Sequence, residues 1–158
     1  MSEEAESMVK MLSDAPGDQR KAMITERFKM IATQPEEQRV KTTTGLLLAI
    51  SKLDDKKRKE FISSRTEAVA EMEPDVRKAI QTARVKAGGQ IPEEVNMGDM
   101  MMMMQAIQEW PEDKRNMFKE NLGAVFKEQG MEMPDVEGMM QKMSSTTEEL
   151  KKPRWKFW

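Results

Sequence analysis

Two consecutive stretches of the chain have the sequences LSDAPGDQRKAMITERFKM (residues 12–30) and IATQPEEQRVKTTTGLLLA (residues 31–49). Each contains a proline followed by acidic residues and then an arginine four positions after the proline. The spacing of 19 residues continues without a gap through 50–68, 69–87, 88–106 and 107–125, and a degenerate seventh block covers 126–144. A fixed period of this length is the sequence signature of a repeat architecture.

Three columns of the repeat carry most of the similarity. One is an arginine column, in which Asn96 is the exception: Arg20, Arg39, Arg58, Arg77 and Arg115. A second is a proline column, in which Asp54 and Glu73 substitute: Pro16, Pro35, Pro92 and Pro111. The last column of the block is apolar throughout: Met30, Ala49, Ala68, Ala87, Ala106 and Val125.

Each block has the pattern of one helix. Proline followed by acids is typical of a helix start, because proline fixes φ and acids favour the positive end of the helix dipole. Roughly 15 helical residues per block span about 22 Å, and the remaining residues allow only tight turns, so we expect consecutive helices to pack antiparallel. The sequence therefore predicts an all-α fold: six to seven ungapped 19-residue single-helix repeats packed as antiparallel hairpins, a short α-solenoid or a helical bundle.

The blocks also predict a division of the chain. Residues 1–11 form an N-terminal capping segment, and residues 12–87 form helical repeats one to four. The pair Gly88-Gly89 marks a break at 88–91. Met-rich repeats five to seven follow at 92–143, and a basic-aromatic tail occupies 144–158.

Composition excludes several classes of chemistry. The 158 residues carry 26 Lys and Arg against 28 Asp and Glu, a net charge of -2, and contain no His and no Cys. Disulfides, thiolate or imidazole metal sites, and Ser-His-Asp or Cys-His catalysis are therefore absent. There is no glycine-rich phosphate loop and no EF-hand loop. We expect neither an enzyme nor a bound cofactor.

Methionine is concentrated in the second half of the chain, which has most of the 18 methionines. Five consecutive residues, Met100 to Met104, surround a whole helix, so Met102 or Met103 must be exposed, covered by a second layer, or in contact with a partner. A second cluster contains Met139, Met140 and Met143. Methionine faces serve as adaptable binding surfaces, although a soft core is the alternative explanation, and thioethers also bind Cu(I).

The arginine column allows two interpretations. A row of arginines on successive helices could bind the phosphates of a nucleic acid. Alternatively, the arginines pair with an acid three or four residues earlier in the same helix, although Asp18 is too near Arg20 for this. The pairs with this spacing are Glu36 with Arg39, Asp54 or Asp55 with Arg58, Glu73 with Arg77, and Glu112 with Arg115. The acidic overall balance favours the second interpretation.

The last eight residues, Lys151 to Trp158, combine four positive charges with three aromatic rings. Tryptophan and arginine are the residue types of interface hot spots, which predicts partner contact through Arg154, Trp155, Phe157 and Trp158. Docking back onto the acidic body of the chain is one alternative, and binding to an anionic membrane surface is another.

These features predict a non-enzymatic interaction scaffold or a small accessory subunit of a larger assembly. Its partners would be proteins, through the methionine-rich face and the tail, and nucleic acid is not expected. Nucleic-acid binding by the arginine column and soft-metal binding by methionine are the alternative functions. The longest apolar runs have five residues, as Met100 to Met104 does, and are too short to span a membrane. The acidic N-terminus has no apolar signal core. We therefore expect an intracellular soluble protein of the cytoplasm or of an organelle matrix or stroma, with peripheral attachment to a membrane complex as an option.

Overall fold

The computed structural model describes residues 2–135 and residue 138. The described chain is all-α, as predicted, with no strand in these residues. Seven helices follow one another: α1 (Ser2–Asp14), α2 (Gly17–Ala32), α3 (Glu36–Ser51), α4 (Asp55–Glu71), α5 (Pro74–Gly88), α6 (Glu93–Gln108) and α7 (Glu112–Glu128).

The 19-residue period of the sequence is the period of the helices. From α2 to α7, each helix begins 19 residues after the one before it, and each is 15 to 17 residues long. The turns between these helices have two to four residues. The prediction of one helix in each 19-residue block is therefore confirmed.

Each proline of the proline column lies one position before the first residue of its helix. Pro16, Pro35, Pro92 and Pro111 are N-cap residues with φ near -56° and ψ between 141° and 151°. The carbonyl of Pro16 accepts the first helical bond, from the backbone N–H of Arg20 at 2.7 Å. Proline fits here because its fixed φ suits the N-cap and this position needs no N–H. Asp54 replaces it before α4 and caps the N–H of Lys57 at 2.9 Å.

The helices form two layers. Contact is most extensive between helices two apart in the chain, and the helices therefore stack as α1, α3, α5 and α7 in one layer and α2, α4 and α6 in the other. Consecutive helices also touch, over a smaller surface, and helices three apart contact each other across the layers. Stacking of one repeat on the next, rather than contact within a hairpin, therefore supplies most of the helix packing, as in an α-solenoid.

One large core runs through the array, and a smaller buried cluster lies apart from it: Leu47, Ala87 and Ile91. The buried side chains of the large core extend from Val9 on α1 to Phe126 on α7, and the stack continues past the Gly88-Gly89 pair. The most enclosed helix is α4, where Phe61 and Ile62 are almost completely buried. Among the described residues, no helix is long and apolar enough to cross a membrane.

Candidate functional site

The arginines of the arginine column donate hydrogen bonds to the backbone at the end of the preceding helix or in the turn that follows it. Arg20 is buried near the start of α2, and its guanidinium donates to the backbone carbonyls of Leu12 at 3.1 Å, Ser13 at 3.3 Å and Ala15 at 2.7 Å. The last carbonyls of a helix have no partner within it and form the negative end of its dipole. Arg20 therefore caps the C-terminal end of α1.

The other members of the column make the same contact. The carbonyls that they reach are Gln34 for Arg39 at 2.9 Å, Ser51 for Arg58 at 3.3 Å, Ala70 and Met72 for Arg77 at 3.3 and 3.4 Å, and Gln108 for Arg115 at 3.4 Å. Of the predicted pairs with acids of the same helix, the described part of the chain contains only Arg58 with Asp55, at 2.5 Å. The other three pairings were wrong, because the guanidinium extends backward to the preceding turn.

The methionine run of α6 belongs mainly to the core. Met100, Met103 and Met104 are buried, and Met101 and Met102 are half-buried and pack against the same core. Met103 is only 5% exposed, which leaves little of its side chain accessible for the predicted partner contact, and that contact stays a prediction. The physical reason for the low exposure is that α6 packs against α4 in its own layer and against α3 across the layers, which covers more than one face of the helix.

The remaining predicted partner contacts cannot be placed in the fold. Met139, Met140, Met143, Arg154, Trp155, Phe157 and Trp158 lie outside the described residues. Their role stays a prediction. Met102 keeps part of its surface open beside the core.

The exposed apolar surface lies instead at the N-terminal end. A groove of about 990 Å³ runs between α1, α2 and α3 and is lined by Met11, Met30 and Leu48, among others. These three are among the five large apolar side chains that are exposed in the described part of the chain. A cluster of this kind marks an interaction site more often than scattered single residues do. We call this surface the N-terminal groove.

The rim of the N-terminal groove is charged. Glu3 and Glu4 on α1 and Arg27 and Lys41 on α2 and α3 line it, and all four are exposed. Within the described residues none of the four forms an ion pair, whereas charged side chains elsewhere pair across helices: Glu6 with Lys52, Asp14 with Lys57, Lys21 with Glu71, Glu36 with Lys86 and Lys78 with Glu128. The groove thus combines an apolar floor with two unpaired acids and two unpaired bases.

The sequence analysis did not select Met11, Met30 or Leu48. The signal that could have identified Met30 is the last column of the repeat, where the next four blocks all have alanine. Alanine in this column allows a neighbouring helix to pack closely. A methionine at the same position indicates that no helix packs closely against Met30.

A buried charge cluster lies in the centre of the array. Asp99 on α6 accepts two hydrogen bonds from Arg65 on α4, at 2.8 and 2.9 Å, and two from Arg84 on α5, at 3.2 and 3.1 Å. Burial acts to raise the pKa of Asp99, but the charges and hydrogen bonds of the two guanidinium groups outweigh it and lower this pKa. Burial is also the main reason that the pKa of Arg84 is lowered.

Beside this cluster is an interior cavity of about 50 Å³, lined mostly by apolar side chains and by Arg65, Gln81 and Arg84. The buried amide nitrogen of Gln81 has no hydrogen-bond partner among the residues that the structure describes. The volume is enough for a few water molecules and is well below that of a pocket for an organic substrate. In residues 2–135 and 138, no three carboxylates converge to hold a metal ion.

No protein-family model, no curated protein sequence and no solved structure matches this chain.

Proposed function

We propose that this protein is a non-enzymatic protein-interaction module that acts as a scaffold or a small accessory subunit of a larger assembly. The observation that carries the proposal is the N-terminal groove, in which Met11, Met30 and Leu48 are exposed together beside four charges that form no ion pair with other described residues. Methionine side chains adapt to differently shaped partners, and a charged rim sets the orientation of what binds.

The repeat architecture supports this proposal. Terminal repeats of a solenoid ordinarily have a polar outer face, because no further repeat covers them. The N-terminal end of this array has exposed methionines at that place. An apolar terminal face is consistent with a surface that is covered in the working assembly.

The arginine column supports protein rather than nucleic acid as the partner. Its guanidinium groups donate to carbonyls within the array, as Arg20 does to Ala15 at 2.7 Å. A net charge of -2 also gives no general attraction to phosphates. The tail, with Trp155 and Trp158, is the second proposed point of contact.

Site-specific cross-linking tests the proposal. Because the chain has no cysteine, Met30→Cys places a single thiol in the N-terminal groove for attachment of a photo-cross-linker. Met117→Cys on α7 is the matched control, since Met117 is also an exposed methionine and lies near the other end of the array. We expect protein adducts in the native extract from Met30→Cys that are absent from Met117→Cys and that disappear when Met11→Lys is added.

The proposal fails if both thiols give the same adducts or if neither gives any. Tight RNA or DNA binding with a steep dependence on salt would favour the nucleic-acid alternative, because such binding is driven by the release of counterions.

A further inference from the structure

Met11 and Met30 occupy the same position of the 19-residue repeat as a buried column inside the array. That column continues as Ala49, Ala68, Ala87, Ala106 and Val125. Met11 and Met30 are 49% and 62% exposed, whereas the next three members are 4%, 1% and 0% exposed. Ala106 is half-buried and Val125 is 3% exposed, so the side chain at this register position is exposed only on the first two helices.

Inside the array, the residues of this column are covered by a neighbouring helix. From α3 onward each helix has a neighbour two positions earlier in the chain, and these are the most extensive contacts of the array. In the described chain helices α1 and α2 have no such neighbour, and their members of the column are the two exposed ones. The column therefore faces the preceding helix of its own layer. At the N-terminal end none of the described helices occupies that position, and the surface there is lined with methionine.

Two charged residues at the rim of the groove occupy repeat positions whose interior members form ion pairs. Glu4 and Arg27 have the repeat positions of Asp99 and of Arg65 and Arg84, respectively. In the interior these positions form ion pairs between different helices, with N–O distances of 2.8 to 3.2 Å. At the N-terminal end Glu4 has no earlier described helix that could supply such an arginine, and Arg27 has no acid at the matching positions of the later helices α3 and α4. Neither side chain has an ion-pair partner in the described chain, and both charges lie at the groove.

We infer that the N-terminal groove is the contact surface of a homodimer in which the N-terminal ends of two copies meet, and this inference rests on the proposed function. A two-fold interface uses the same patch twice, so the patch must be complementary to itself. The groove satisfies this condition, because its apolar floor is accompanied by two acids and two bases. Arg27 of one copy pairs with Glu4 of the other, and the reciprocal pair forms by symmetry.

A second copy fits the rim better than the chain's own tail does. Lys151, Lys152, Arg154 and Lys156 would satisfy Glu3 and Glu4 but would repel Arg27 and Lys41. The tail also follows α7, at the opposite end of the stack from α1. A second copy supplies both signs of charge in equal number.

Sedimentation velocity of the full chain, at low and high micromolar concentration, tests the inference. We expect a concentration-dependent dimer for the wild type and for the control Met117→Lys, and a monomer for Met30→Lys, which places a charge in the apolar floor. Circular dichroism checks that each variant remains helical. A wild type that stays monomeric throughout, or a dimer that dissociates with Met117→Lys and not with Met30→Lys, overturns the inference.

A charge exchange tests the predicted pair directly. Arg27→Glu and Glu4→Arg each place like charges opposite one another in both halves of the interface, and each should weaken the dimer on the order of a hundredfold. Mixing the two variants should restore association, because in the mixed dimer every acid again faces a base. Failure of the mixture to associate overturns the pairing, and a folding defect could not produce the restoration.

The outcomes separate this inference from the proposed function. If the wild type is monomeric but Met30→Cys still forms adducts with other proteins, the homodimer is wrong and the interaction module stands. If the dimer forms and Met30→Cys is cross-linked only to a second copy, the homodimer stands and the accessory-subunit proposal is wrong.

Discussion

Arg65 and Asp99 form an ion pair with two parallel hydrogen bonds, at 2.8 and 2.9 Å, and both side chains are less than a tenth exposed. The pair joins α4 to α6, two helices apart in the chain, and therefore lies in the main type of contact of the array. Arg84 on α5 adds a second guanidinium to the same carboxylate. The geometry allows three helices to share one buried charge.

Removal of the carboxylate should destabilise the array strongly. Asp99→Ala leaves the charges of Arg65 and Arg84 buried without their partner, and loss of one member of such a pair costs about 3–5 kcal/mol. Urea denaturation followed by circular dichroism measures the change. Asp55→Ala is the matched control: Asp55 pairs with Arg58 but is 92% exposed, so we expect about 1 kcal/mol or less. Equal effects of the two variants would contradict the prediction.

The stability of the protein should fall in acid. The pKa of Asp99 is lowered in the folded chain from its ordinary value of 3.8, so its contribution is complete above that value and is lost as the pH falls through the folded pKa. The pKa of Asp14 is lowered by its hydrogen bond from Lys57, and that of Glu36 by Lys86, which gives the same sign.

We therefore expect the urea midpoint to be nearly constant above pH 4.5, the ordinary pKa of Glu36 and the highest of the three, and to decrease as the pH falls below it. Asp99→Asn, which cannot ionise, should show a smaller decrease. If the urea midpoint of Asp99→Asn decreases in acid as much as that of the wild type, the decrease is caused by other carboxylates.

Members of the arginine column should differ in their contribution to stability according to burial. Arg20→Ala removes the side-chain donor of three carbonyls at the end of α1, of which that of Leu12 keeps a bond from the N–H of Ala15. An unsatisfied buried polar group costs about 1–3 kcal/mol. Arg115→Ala removes one bond of 3.4 Å near the surface, and we expect a change of about 0.5 kcal/mol or less.

Arg20→Lys should recover only part of the loss, because an ammonium lacks the planar fork of donors that serves several carbonyls at once. Urea denaturation of the three variants provides the comparison. A full recovery by lysine would show that charge at the helix end, and not the hydrogen-bond geometry, is what stabilises the junction.

Deletion of residues 151–158 should separate the role of the tail from that of the repeats. If the tail contacts only a partner, the free energy of unfolding should change by about 1 kcal/mol or less. Affinity for the partner should fall, since loss of a buried tryptophan anchor costs on the order of 2–4 kcal/mol. Melting and pull-down experiments on the truncated chain measure both quantities.

The opposite result would support the alternatives. Docking of the tail on its own body predicts a clear decrease in melting temperature with association preserved. A membrane contact predicts loss of binding to anionic vesicles and no change with neutral ones, because the lysines act through the surface charge.

Local signals of the sequence determined the helices. The proline and acid columns act within a few residues of where they stand, so the starts of α2 to α7 follow the 19-residue period. The same local signals could not separate an N-cap from a first helical position, since proline's φ near -56° suits both. The all-α repeat class follows from the sequence for this reason.

The tertiary structure alone decided what the repeated residues contact. The guanidinium of Arg39 could pair with Glu36 of its own helix or reach the preceding turn, and only the position of that turn selects the carbonyl of Gln34. Met30 and Ala68 occupy the same column, yet one is 62% exposed and the other 1%, because α4 has a helix before it in its layer and α2 has none. Local preference sets where a helix begins, whereas burial depends on whether a neighbour from a distant part of the chain is present to cover the side chain.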